Sequence, residues 1–247
     1  SVQAVLAGPS TVDDGSRIDV YVGYTTAAKN AAGGLGAMQA LISTAMAETN
    51  TGYVNSGIVQ RVNLVGTGEY AYNETNFDWN TTLDRWRNPA DAVFGPAHAL
   101  RDTNNADEMV LLVRNQNYCG MAFLMSSGYI HPSFADHSFA LVAHNCATGY
   151  YSFAHEMGHN MGAMHNREAG GSGAYAYSYG NWIWIPADNR YSYRTVMAYD
   201  TYNAVDLNGT RLTYSAQRVN YWSNPLAFYN GQPTGKELSD PRSANNA

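Results

Sequence analysis

Residues 155–165 read His-Glu-Met-Gly-His-Asn-Met-Gly-Ala-Met-His, and few local structures can use them together. His155 and His159 are four apart, so on an α-helix they leave one face about 40° apart around the axis. That is the spacing at which two imidazoles grip one zinc ion. Glu156 lies on the flank of the same face, within reach of a water at the ion but not a ligand itself. On a continuing helix His165 would point about 120° away from His159 and lie ~9 Å further along the axis. Gly162 removes the conflict, because glycine accepts the positive φ that ends a helix and turns the chain back. The stretch therefore predicts a helix over 152–162 with Ser152 as its N-cap, then a glycine turn. It places His155, His159 and His165 around one Zn(2+) with an open fourth position, the catalytic rather than the structural pattern.

His-Glu-x-x-His-x-x-Gly-x-x-His resembles the zinc signature of the metzincin metallopeptidases, which carry a methionine turn downstream. Arg194-Thr195-Val196-Met197-Ala198-Tyr199 matches that turn. The run Tyr150–His165 looks reprolysin-like, and the chain as a whole resembles the secreted bacterial peptidyl-Asp metallopeptidases. The resemblance implies that Met197 forms a soft apolar floor under the imidazoles. Tyr199 stands where astacins and serralysins have a tyrosine that contacts zinc or the oxyanion, and where reprolysins have proline. Asn166 replaces the aspartate that reprolysins carry after the third histidine, a change in support rather than in ligation. Cys119-Gly120-Met121-Ala122-Phe123 resembles the edge strand that takes an extended substrate by strand addition, with Gly120, Met121 and Ala122 as its candidate residues. An ordinary core strand is the alternative. The resemblance also implies an acidic residue on the prime side of the cleaved bond, and Arg194, Arg211 and Arg218 lie in the region that would recognise it.

Composition limits the remaining possibilities. The chain has 247 residues, 45% hydrophobic, enough for a packed core. Net charge is -6 and the fourteen basic residues are scattered, so nothing points to nucleic acid or an anionic membrane. No stretch approaches the ~20 apolar residues of a membrane span, and no leader is evident. We expect a mature, secreted, monomeric enzyme released from a zymogen, acting on protein or peptide substrates. Cys119 and Cys146 admit a disulfide, two buried thiols or metal ligation, and without a CxxC spacing the last is a poor zinc site. A disulfide, the reading adopted, would contribute roughly 3–4 kcal/mol and join the segment before the zinc helix to an upstream strand in an oxidising compartment.

In chain order, Ser1–Gly15 reads as a polar lead-in with Pro9 and an Asp13-Asp14-Gly15 turn, and 17–24 as a first strand. Leu35, Met38, Leu41, Ile42 and Met46 give a long helix over 33–50. Strands are expected over 59–65, 108–113, 120–125 and 138–143. Helices are expected near Asn80 or Thr81 and over 90–101. Alternating strands and helices predict an α/β fold with a twisted, mostly parallel five-stranded sheet in a subdomain spanning 1–162. The remainder, 163–247, reads as an irregular second subdomain containing the methionine turn. There Ser223-Asn224-Pro225 and Gln232-Pro233-Thr234-Gly235 again resemble the peptidyl-Asp family, and its C-terminal helix is expected to be short or missing. Asn73-Glu74-Thr75, Asn80-Thr81-Thr82 and Asn208-Gly209-Thr210 are formal glycosylation sequons. His98, His131, His137 and His144 are expected at the surface or in the core rather than on the metal.

The resulting expectation is a zinc endopeptidase with Glu156 as general base and acid. The sequence is also compatible with a binding or toxin-like module on the same scaffold, and with a protease restricted to one specialised glycoprotein target.

Overall fold

The computed structural model describes residues 17–205, 211–237, 239–240 and 244–246. The Ser1–Gly15 lead-in and the Asn208-Gly209-Thr210 sequon lie outside them, as does the side chain of Arg211. The chain forms two compact units, one made of residues up to Asn50, Val59–Phe123 and Ile130–Met161, the other of Thr51–Ile58, Leu124–Tyr129 and Gly162–Ala247.

The first unit is a layered α/β structure. In order its elements are β1 (Arg17–Thr25), α1 (Thr26–Ala32), α2 (Leu35–Asn55), β2 (Arg61–Tyr70), α3 (Trp79–Arg87), α4 (Pro96–Asn104), β3 (Glu108–Val113), β4 (Gly120–Ala122), β5 (Phe139–Ala143) and α5 (Ser152–Asn160). The last turn of α2 belongs to the second unit. The sheet order is β2-β1-β3-β5-β4. The first four strands run parallel, and β4 alone is antiparallel, paired to β5 at the edge. Parallel strands buried on both faces need continuous apolar runs, and Met109–Val113 and Phe139–Ala143 are buried without interruption.

Aromatic packing fixes this sheet. Trp86 of α3 lies fully buried against Tyr70, Phe94 and Phe139, with ring centroids 5.5, 5.5 and 6.1 Å away, and its Nε1 donates to Met109 O. It can approach because Gly23 stands under it. A Cβ on Gly23 would sit 2.9 Å from Trp86 Cη2 and 3.1 Å from Leu111 Cδ1. The edge-on and tilted ring contacts add to the area they bury.

Several boundaries differ from the sequence reading, each for a local reason. Helix α1 leaves no trace in the sequence, because its Ala-rich turn shows no apolar period; Thr25 Oγ1 caps it by accepting from Ala28 N. Helix α4 begins at Pro96, not Ala90, because the Asp91 carboxylate accepts from Val93 N and Phe94 N and holds a turn there. Strand β2 runs to Tyr70, and β4 stops at Ala122. Ser152 is the first residue of α5, whose N-cap is Tyr151 in the left-handed region at φ 58°, and the helix ends at Asn160 rather than Gly162.

The second unit, read as irregular, instead contains short strands. These are β6 (Met164–Asn166), β7 (Tyr179–Gly180), β8 (Trp182–Ile185), β9 (Arg190–Arg194), β10 (Thr201–Val205), β11 (Arg211–Ser215), β12 (Gln217–Arg218), β13 (Phe228–Tyr229) and β14 (Gln232–Pro233). They pair as β6-β7, β12-β9-β8, β10-β11 and β13-β14. Ile183, Ile185 and Val219 form a small core under Tyr193, Tyr221 and Tyr229. No α-helix follows α5 among the described residues.

Candidate active site

Every residue of α5 is buried, so the helix is held as a core element. Its entry has no side-chain cap. The Glu48 carboxylate of α2 accepts from Gly149 N at 2.9 and 3.1 Å in the preceding loop. Burial, and then the charge of Glu48, raises the Tyr151 phenol above its ordinary value. At the other end Asn160 Nδ2 donates to His137 O at 3.0 Å and Phe139 O at 3.3 Å, which ties α5 to the sheet at β5.

The His155 and His159 rings meet edge to face with centroids 4.8 Å apart. Gly162 takes φ 91° and starts the turn that leads to His165 in β6. The ligand-capable atoms of His155, His159 and His165 all lie within 4.8 Å of one another, the one such grouping of His, Cys, Asp and Glu among the described residues. Three neutral nitrogen donors converging on one point suit a zinc ion.

The other four histidines are held elsewhere. His98 stacks on Phe139 and approaches Trp86 O, and burial lowers its pKa. His131 Nδ1 accepts from Ser133 N. His137 stacks on Phe134, and His144 is buried against Val113 O.

Around His165 the second unit supplies a brace. The Tyr199 ring stacks on the His165 imidazole, centroids 4.0 Å apart and planes 28° apart. Asn166, buried beside that histidine, accepts from Tyr199 N at 3.0 Å through Oδ1 and donates to Glu168 through Nδ2. An asparagine can do both at once, whereas an aspartate could only accept. Trp182 Nε1 donates to Tyr199 O at 2.9 Å. Met197 is fully buried. Its turn is packed against Gly180, where a Cβ would sit 2.5 Å from Ala198 N and 2.7 Å from Met197 C. Arg194, one of the three arginines considered for substrate recognition, is buried instead. Its Nε donates to Ala216 O at 2.8 Å and its Nη1 to Ala198 O at 2.6 Å, so it braces the methionine turn. Neither the Arg194 brace nor the Gly180 contact was visible in the sequence.

On the first unit, Gly120, Met121 and Ala122 form the edge strand, half-buried and paired only to β5 among the described strands. Gly120 stands opposite Val142, and Ala143 N donates to Cys119 O. Cys119 is disulfide-bonded to Cys146, Cα–Cα 5.4 Å. Glu156 is buried, and its carboxylate lies directly on Gly120.

Comparison with known proteins gives this arrangement its family. The family model described as metallo-peptidase family M12, of reprolysin type, matches residues 14–214. A peptidyl-Asp metalloendopeptidase of Stenotrophomonas maltophilia is 42% identical over 88% of this chain and 47% of its own length. One of Xanthomonas campestris is 37% identical over 95% of this chain and 49% of its own length. The chain thus spans about half the length of these relatives. A solved chain titled "Structure of a chaperone-substrate complex" shares the fold with a TM-score of 0.62 at 16% identity, over 94% of this chain and 36% of that one. On the strength of the family match and these relatives, the chain belongs to metallo-peptidase family M12.

Proposed function

We propose that the protein is a secreted zinc endopeptidase. The observation that carries this is the convergence of three imidazoles within 4.8 Å, with Glu156 buried on the same helix as two of them. His155, His159 and His165 would hold the ion. When bound, zinc on three neutral imidazoles supplies Lewis acidity, easing deprotonation of water and polarising a peptide carbonyl.

The chain's own groups do the rest. Glu156 takes the proton from the attacking water at its carboxylate and passes it to the leaving amine nitrogen. The open edge of Gly120–Ala122 receives the extended substrate backbone by strand addition. Tyr199 would donate its hydroxyl to the developing oxyanion; its half-exposed position and its stacking on His165 support that role. The relatives' name, peptidyl-Asp metalloendopeptidase, supports cleavage beside aspartate, and our reading assigns that acidic residue to P1′. Arg194 is committed to backbone carbonyls, which argues against it as the reader of that charge. The Cys119–Cys146 bond supports an oxidising, extracellular setting.

The test is casein hydrolysis by the zinc-loaded protein, with and without chelator, alongside Glu156→Gln. The variant should keep one zinc per chain and lose hydrolysis by at least a hundredfold. Full activity in chelator, or in a zinc-replete variant, would overturn the reading. Cleavage of a peptide library with an apolar P1′ preference would remove the acidic specificity alone.

A further inference from the structure

We propose that Gly120 is a positioning residue for Glu156: the missing side chain at the head of the edge strand is what allows the carboxylate to occupy its buried place. This rests on Glu156 being the general base. A Cβ built on Gly120 falls inside the van der Waals radii of Glu156 Cγ and Oε1 and 2.6 Å from Cδ. Real Cβ atoms essentially never come that close, so one side must move.

The strand is the side that is held. Cys119, its immediate neighbour, is covalently bound to Cys146, and Cys119 O accepts from Ala143 N at 2.9 Å. Gly120 itself is in register opposite Val142 of the central sheet. Moving Gly120 would break that pairing and pull on the disulfide. Glu156 is the movable partner: its backbone is fixed in α5, and because Cγ is part of the clash it is rotation about χ1 that carries Cγ and the carboxylate away together. An added methyl group therefore swings the carboxylate away and leaves strand and helix in place. The same contact fixes the distance between the backbone that would pair with substrate and the group that would move its proton. A misplacement of about 1 Å in such a pair costs on the order of a hundredfold in rate.

Gly120→Ala is the test. The zinc-loaded variant should keep one zinc per chain and a KM within twofold of the parent, with kcat lower by at least tenfold. A kcat within twofold of the parent overturns the proposal. So does a raised KM with unchanged kcat, which would make Gly120 a substrate contact only.

A stability cycle covers the case in which the variant loses zinc or folds poorly. Melting temperature is measured for the parent, Gly120→Ala, Glu156→Ala and the double variant, all in chelator. The decrease caused by Gly120→Ala in the parent should disappear in the Glu156→Ala background, where no carboxylate remains to collide. An equal decrease in both backgrounds overturns the contact. Should Glu156→Gln hydrolyse casein normally, the general-base reading fails while this cycle still reports on the Gly120–Glu156 contact.

Discussion

Glu108 offers a sharp test of the packing in the first unit. It opens β3 and is buried, and its Oε2 has no hydrogen-bond partner. Burial, then the neighbouring Asp107 charge, raises its pKa well above the ordinary value, while the Ser138 hydroxyl and Arg101 pull the other way. A free glutamic acid titrates at about 4.3. A group whose folded pKa is raised contributes stability in full below its unfolded pKa and loses it as pH rises toward the folded value. Above about pH 4.3 the unfolded chain releases this proton before the folded chain does, so the parent loses stability through this one group as pH rises. Glu108→Gln preserves the shape and abolishes the titration. The stability of the variant minus that of the parent should therefore grow as pH rises from 5 to 7, by at most about 3 kcal/mol. Urea unfolding of both proteins in chelator at pH 5, 6 and 7 measures it. Pairwise subtraction cancels every titration they share. A difference that stays flat across that range would show that Glu108 titrates alike in both states, and the burial argument would be wrong.

The disulfide closes a loop across a sequence separation of 27 residues. Replacing both Cys119 and Cys146 by alanine should cost about 3.5 kcal/mol, or roughly 7–14 °C in melting temperature, read by thermal unfolding without reductant. Arg194→Lys cannot reach both Ala216 O and Ala198 O in the same geometry. It should destabilise by about 1.5–3 kcal/mol in urea unfolding, and a zinc titration should show weaker retention of the metal.

The sequence was most informative where chemistry and periodicity coincide. Residues 155–165 specified the histidine spacing and the glycine turn because both follow from helix geometry. The runs Met109–Val113 and Phe139–Ala143 announced central strands because a parallel sheet buries both faces. The second unit stayed hidden because its strands are two to five residues long and rich in Tyr, Asn and Gly, too short for a period of two to show. Ser152 looked like a cap by residue type, yet the left-handed turn at Tyr151 and the reach of Glu48 to Gly149 N from more than a hundred residues upstream organise the helix entry instead. Long-range contacts of that kind leave no local mark. Gly120 was legible as part of a strand, whereas its contact with Glu156 depends on where two distant segments meet.

The shortness of β4 has a consequence for the protein's behaviour in concentrated solution. An unpaired strand edge is a template for any passing chain, and long flat edges invite aggregation. Here the open rim is three residues long, with the Cys119–Cys146 bond at its head. Three residues are enough backbone for the single extended peptide proposed above to bind there. A rim this short gives a second copy little length over which to pair, so β4 itself is a poor template for fibrous self-association.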